Sequence, residues 1–194
     1  MKLIATPRSH FSRKVRLLLD HMELSYELVD VGDVSAVDAE RFHGNPGMGV
    51  PVLQDGEVWM LESDHIAAYL VRTYQPDDRY GVLTESVERL NVRAVLNNVM
   101  GNEVKLILAK RGGLDPHPHH YFQKAKRAIE QGLSWLEDRS YFFGSVDPGY
   151  LEFHFISLWD HLELYELVKL EYPKLRSLAR DLSEKALIKR SKPV

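Results

Sequence analysis

The hydrophobic pattern changes near residue 75: before it, apolar residues come in short runs; after it, they recur at helical spacing. Lys2 to Ala5 is a brief β-prone run, broken by Thr6-Pro7. From Phe11 to His21, Val15, Leu18 and Leu19 fall on one helical face. Ser25 to Val31 alternates, with Tyr26 and Leu28 opposite Val29 and Val31, and predicts a strand. A short helix is expected near Val34 to Phe42. Val50 to Met60 then holds two apolar runs around Asp55-Gly56. Gly and Asp tolerate positive φ, so that pair signals a hairpin. Leu61-Glu62-Ser63 opens a helix running to about Arg72. The resulting order is β-α-β-α-β-β-α, in which a parallel pair needs a crossover helix and the last two strands need only a tight turn.

Gln75-Pro76-Asp77-Asp78-Arg79 is a polar break. Beyond it, Val92, Val95, Leu96, Val99, Met100, Val104, Ile107 and Leu108 form one wide helical face. Gly112-Gly113, Pro116 and Pro118 end that helix, and Phe122, Ala125, Ile129, Leu133 and Leu136 mark the next. Tyr150 to Tyr165 is apolar nearly all round, which predicts a helix at the centre of a bundle. Pro173 opens another short helix. The expected organisation is a small α/β domain over residues 1–74, a linker over 75–84, and an all-helical domain over 85–194.

Composition narrows the chemistry. The 194 residues include no cysteine, so disulfides, thiolate-bound zinc, iron–sulfur clusters and a cysteine nucleophile are excluded. A formal net charge of −3 gives no sign of a grip on nucleic acid. No apolar run approaches the roughly eighteen residues of a membrane span. Met1 to Arg8 lacks the apolar stretch of a secretion signal, so a cytoplasmic protein is expected.

Four motifs, in order and at their distances, resemble the glutathione transferase family along almost the whole chain. They are Ser9 to Arg16 after the first strand, Asn45 to Leu53, Leu61 to Leu70, and, more weakly, Phe143 to Glu152. The resemblance implies a thioredoxin-like N-terminal domain that binds glutathione and a helical C-terminal domain that supplies an apolar pocket. It also implies a homodimer. The implied reaction joins the sulfur of glutathione to a small hydrophobic electrophile. A non-catalytic member that binds a protein partner or an apolar ligand is the alternative.

Each motif has a physical role under that resemblance. Val50-Pro51 is expected to be a cis peptide, allowed at an X–Pro bond at modest cost. It would present the Val50 backbone to the cysteinyl unit of glutathione as an added strand; the plain alternative is a proline that starts an edge strand. Glu62 and Ser63 stand at a helix N-terminus, where N–H groups favour an anion. Ser63 would hold the γ-glutamyl carboxylate and Glu62 its ammonium, and either residue could also simply cap the helix. Ser9 stands where the family places its serine or cysteine. Its hydroxyl would favour the thiolate of glutathione, whose free thiol titrates near 8.5. Ser9 is equally suited to a plain N-cap, and Thr6 and Ser12 are competing hydroxyls.

Two positions depart from the family pattern. His10 replaces a common proline and puts an imidazole beside the sulfur. Gly49 replaces a Lys or Gln that commonly helps hold the glycyl carboxylate, with Arg8 or His43 as possible substitutes. His10, Phe11, Met100 and Val104 are the expected pocket residues. Arg8, Arg13, Lys14 and Arg16 form a basic cluster, read either as steering the anionic tripeptide or as a solvated helix face. Gly149-Tyr150-Leu151-Glu152 reads as a capping box and speaks for folding. No metal is expected: His117-Pro118-His119-His120 lacks regular ligand spacing, and His154 and His161 read as core or pocket-edge side chains. Asn91, Asn98 and Asn102 form a polar stripe, expected by default to face solvent, with the electrophile pocket or a dimer interface as the alternatives.

Overall fold

The computed structural model describes residues 1–193. Its first part holds β1 (Lys2–Ala5), α1 (His10–His21), β2 (Glu27–Asp30), β3 (Val52–Asp55), β4 (Val58–Leu61) and α2 (Ser63–Tyr74). The helical part holds α3 (Val87–Arg111), α4 (His120–Glu137), α5 (Tyr150–Tyr165), α6 (Pro173–Ser183) and α7 (Ala186–Arg190). The sheet order is β2-β1-β3-β4, with β1 parallel to β2 and the other two pairs antiparallel. This is a thioredoxin-like sheet: the βαβ crossover gives the parallel pair, and the hairpin gives the antiparallel edge. Gly56 supplies the turn with φ +59°, and Asp55 pairs Val58 across it. Leu3, Ala5 and Leu53 of the sheet and Val15, Leu18 and Leu19 of α1 are all fully buried in one core.

The helix expected over Val34–Phe42 is absent; a single 3-10 turn spans Ala39–Phe42. The carboxylate of Asp33 accepts from the Ser35 N–H and that of Asp38 from the Glu40 N–H. Such local bonds compete with helical ones. The segment also lacks a face to dock: Phe42 is buried, but Val37 is 94% exposed. Helices of this length depend on a docked face.

α5 lies at the centre of the helical part, with Phe153, Phe155, Ile156, Leu158, Trp159 and Leu162 buried. It packs on both α1 and α3. The capping box forms as expected, the Glu152 carboxylate accepting from the Gly149 N–H at 2.8 Å.

Packing of α1 corrects both readings of the basic cluster at Arg13 and Lys14. Arg13 and Lys14 are 1% and 0% exposed, so they neither steer a ligand nor face solvent. Arg13 meets Asp160 of α5 at 2.7 Å and donates to the carbonyls of Ile156 and Ile188. Lys14 meets Asp64 at 2.8 Å. Buried charges persist where such partners surround them. Arg16 alone of the helical three reaches the cleft described next.

Candidate functional site

A cleft of about 1060 Å³ separates the sheet from the helical part. One wall is the β1–α1 loop with Ser9 and the first turn of α1 with His10 and Phe11, together with Met48, Gly49 and Val50 ahead of β3. The facing wall is α3, through Gly101, Val104, Ile107 and Leu108, with His161 and Tyr165 of α5 and the chain end from Arg190 to Pro193.

Ser9 is the N-cap of α1. The Ser12 N–H donates to its Oγ at 3.1 Å, and the Ser9 N–H donates to the Thr6 carbonyl at 3.0 Å. The cap therefore uses an oxygen lone pair and leaves the hydroxyl proton available for the cleft. Of the competing hydroxyls, Thr6 also lines the cleft, whereas Ser12 is fully buried.

The Val50-Pro51 peptide is cis. The last β1–β3 pair is Ile4 with Val52, so the backbone of Val50 lies beyond the ladder, in the cleft wall. Asn45 braces this loop by donating from Nδ2 to the Gly49 carbonyl at 2.7 Å. Pro51 itself is buried behind the wall.

Glu62 and Ser63 stand together at the start of α2, outside the cleft lining. Glu62 is exposed at φ +71°, and its carboxylate accepts from the Asp64 N–H at 3.1 Å. Ser63 is fully buried, and its hydroxyl donates to Glu62 at 3.3 Å. The capping role expected of this pair therefore falls to Glu62.

Sequence reasoning missed what lies beneath Ser63. Tyr150 of α5 donates to the Ser63 carbonyl at 3.3 Å and to Asp64 at 2.8 Å. Lys14, Asn97 and Arg93 converge on the same carboxylate. Burial pushes the Asp64 carboxyl up, but Lys14 and the neighbouring cations outweigh it and hold it well below the usual range. Burial likewise pushes the Tyr150 hydroxyl well above its usual value, and Asp64 adds to this. The N-terminus of α2 is thus fixed from three elements, α1, α3 and α5. The only sequence signal was polar residues inside apolar helices.

Among the expected pocket residues, His10, Phe11 and Val104 line the cleft. Met100 stands behind the wall, fully buried, its carbonyl 3.3 Å from His10 Nε2. Gly49 and Arg8 line the cleft, whereas His43 is exposed elsewhere. Asn91 and Asn98 are exposed as expected, but Asn102 is buried and bonded to Asn98. His117 is exposed and pairs locally with Asp115 at 2.7 Å.

Such a sheet, such a helical part and a cleft between them define a class, and comparison with known proteins agrees with it. Residues 3–78 match the family model for the glutathione S-transferase N-terminal domain. That match lies in the sheet-bearing part, and the chain as a whole has the glutathione S-transferase fold. A glutathione S-transferase from Methylobacterium radiotolerans, solved with glutathione sulfonate, is 23% identical with a TM-score of 0.77. The match covers 99% of this chain and 94% of that one. A glutathione S-transferase from Methylobacillus flagellatus with glutathione bound is 21% identical, with a TM-score of 0.77 over 100% and 99% of the two chains. A maleylacetoacetate isomerase from Methylobacterium extorquens, solved with malonate and glutathione, is 20% identical, with a TM-score of 0.72 over 100% and 96%. The comparison with curated proteins found no match.

Proposed function

We propose that this protein is a glutathione transferase that joins the thiolate of glutathione to small hydrophobic electrophiles. The observation that carries the reading is Ser9: an N-cap hydroxyl in the cleft wall, beside the Val50 backbone and at the N-terminus of α1. A free thiol titrates near 8.5, so only a minority of glutathione is thiolate at neutral pH. The Ser9 O–H donates to the sulfur, and the positive end of the α1 dipole adds to the same preference. The hydroxyl attacks nothing. The sulfur lone pair forms the new carbon–sulfur bond, the leaving group departs with its electrons, and the thiol proton passes to solvent.

The residues present suit the tripeptide. Val50, outside the ladder, offers its N–H and C=O to the cysteinyl unit as an added strand would. Glu62, exposed at the head of α2, suits the γ-glutamyl ammonium, and the positive end of the α2 dipole favours its carboxylate, with Ser63 buried behind Glu62 and bonded to it. Phe11, Val104, Ile107 and Leu108 supply the apolar side for the electrophile. No metal takes part in this scheme.

The same proposal includes a homodimer in the cytoplasm, the compartment in which glutathione is held reduced. Trp59 and Leu61, on one face of the edge strand β4, are 44% and 37% exposed, an apolar pair suited to a second copy. Light scattering on the eluting protein measures its mass; a monomer at micromolar concentration rejects the dimer.

Calorimetric titration with glutathione, paired with conjugation to an aryl halide, tests the activity. Binding with turnover that falls on Ser9→Ala is the expected result. Absence of binding at millimolar glutathione overturns the reading in favour of a transferase-like scaffold for a protein partner or apolar ligand. Turnover indifferent to Ser9→Ala keeps the transferase and rejects the serine, with Thr6 and His10 next.

A further inference from the structure

One buried cluster in the cleft wall has no role in the scheme above. His10 of α1, Glu103 of α3 and His161 of α5 are 2%, 0% and 4% exposed. Glu103 lies 2.9 Å from His161 Nδ1 and 3.7 Å from His10 Nε2. The two imidazoles stack, with centroids 4.1 Å apart and planes 11° from parallel. Among the described residues, neither Glu103 oxygen has an aligned hydrogen bond, nor does His161 Nδ1. Both imidazoles, but not Glu103, reach the cleft lining.

Two histidines and a carboxylate within 4.8 Å are a metal-ligand set by composition. The ring geometry argues otherwise. An imidazole lone pair lies in the plane of its ring, and one ion cannot sit in two parallel planes stacked above one another. A proton can be shared there. A buried carboxylate without a counter-charge is costly, and burial pushes Glu103 up. The nearest base able to balance it is His161.

Resting on the glutathione reading, we propose that His161, Glu103 and His10 share one proton as a unit, with its positive end toward the cleft, and that this charge holds the bound thiol as thiolate. In that state the unit is neutral overall, which a low-dielectric site favours. Its carboxylate lies inward on α3 and its imidazoles line the cleft. An anion in the cleft therefore meets the positive end of a fixed dipole. His10, with its Nε2 against the Met100 carbonyl, is the uncharged partner; burial and then His161 hold it well below the usual histidine range. Other groups facing the unit are Lys14 on α1 and His154 on α5, both of which repel a proton on His10, and Tyr165 on α5, whose ring is 4.7 Å from His161. The three residues are positioning residues: they act on the sulfur through the field, while Ser9 touches it.

The test titrates the thiolate absorbance of bound glutathione against pH in the wild type, Glu103→Gln and His161→Asn. S-methylglutathione, which has no thiol to ionise, serves as the binding control. The expected result is unchanged affinity of Glu103→Gln, whose altered side chain lies outside the cleft lining, for the S-methyl compound, and in both variants a bound-thiol pKa raised by about one unit or more, roughly tenfold less thiolate at a fixed pH below it. A thiol pKa that does not move while both ligands bind overturns this inference and leaves the transferase standing. Failure of both ligands to bind wild-type protein overturns the transferase reading itself. Nitrogen chemical shifts of the two imidazoles in wild-type protein provide a test without variants. One imidazolium at neutral pH is expected; two neutral rings, or stoichiometric binding of added zinc through these rings, rejects the shared proton.

Discussion

Arg13 and Asp160 meet at 2.7 Å with both side chains sealed from water, although they stand 147 positions apart in the chain. The same guanidinium holds the Ile188 carbonyl and Ser191, so it ties α1 to α5 and to the chain end that walls the cleft. Removing Arg13 strands a buried carboxylate, a change that costs about 3–5 kcal/mol. Lys192, 3.2 Å from Asp160, keeps the loss toward the lower figure. Urea unfolding should therefore show Arg13→Met destabilised by about 3 kcal/mol. Arg41→Ala, which breaks an exposed pair with Asp38, should cost under about 1 kcal/mol. Equal losses in the two variants would mean that the buried pair contributes nothing special.

Asp64 sets an acid limit on the fold. Its carboxyl is held below the usual range in the folded protein, whereas an unfolded aspartate titrates at about 3.9. A depressed folded pKa stabilises above the unfolded value, and the stabilisation is lost as pH falls through it. Wild-type stability should therefore drop below about pH 4. Asp64→Asn should be less stable at pH 6 and show a shallower fall between pH 4 and pH 2. Parallel acid limbs for the two proteins, followed by fluorescence during urea titration at each pH, would contradict this account.

Local pattern made most of the elements legible. The Asp55-Gly56 turn needed positive φ and took it, and Tyr150–Tyr165 became the central helix because its apolar residues surround the axis. The polar side of α1 was misread for a physical reason. A row of Arg and Lys looks alike whether it faces water or a carboxylate from another helix, and only the tertiary pairing of Arg13 with Asp160 and Lys14 with Asp64 decides. The same limit hid the His10–Glu103–His161 cluster, whose members come from three helices. In the cleft wall, the N-cap at Ser9 and the cis peptide after Val50 were legible because each depends on neighbours in sequence. Met100 was placed one layer too far forward, since helical periodicity gives a face but not its depth.

Capping and thiolate stabilisation at Ser9 can be separated by the choice of substitution. Alanine at an N-cap costs about 1 kcal/mol, whereas glycine costs only a few tenths. Ser9→Ala and Ser9→Gly should therefore differ in urea midpoint yet lose turnover alike, because both lack the hydroxyl. If Ser9→Gly keeps wild-type kcat/KM, Ser9 is a cap and nothing more.

Gly49 leaves room for the side chain the family pattern would place there. A Cβ on Gly49 would meet only the Gly47 carbonyl at 3.8 Å and Asn45 Nδ2 at 3.9 Å, ordinary contacts. Gly49→Lys should fold normally and bind glutathione more tightly, by about 1 kcal/mol or roughly fivefold, through the glycyl carboxylate. The gain should shrink at high salt and vanish for a glutathione analogue amidated at that carboxylate. Calorimetry on both ligands checks it, and a gain that survives amidation would place the lysine elsewhere.

Gly132 tests how tightly α4 is seated on α3. In an isolated helix, alanine would be preferred over glycine there by about 1 kcal/mol. In this packing, a Cβ on Gly132 would stand 2.5 Å from Val99 Cγ2 and 3.4 Å from Val95 Cγ1. Valine in a helix has one strongly preferred rotamer, so Val99 cannot swing aside cheaply. The two helices must then separate, and overpacking of this kind costs about 1–3 kcal/mol. Gly132→Ala should therefore lower the urea midpoint despite its better propensity. Trimming Val99 to alanine in the same chain should recover part of the loss. A stabilised Gly132→Ala would show that α3 and α4 yield more readily than their packing implies.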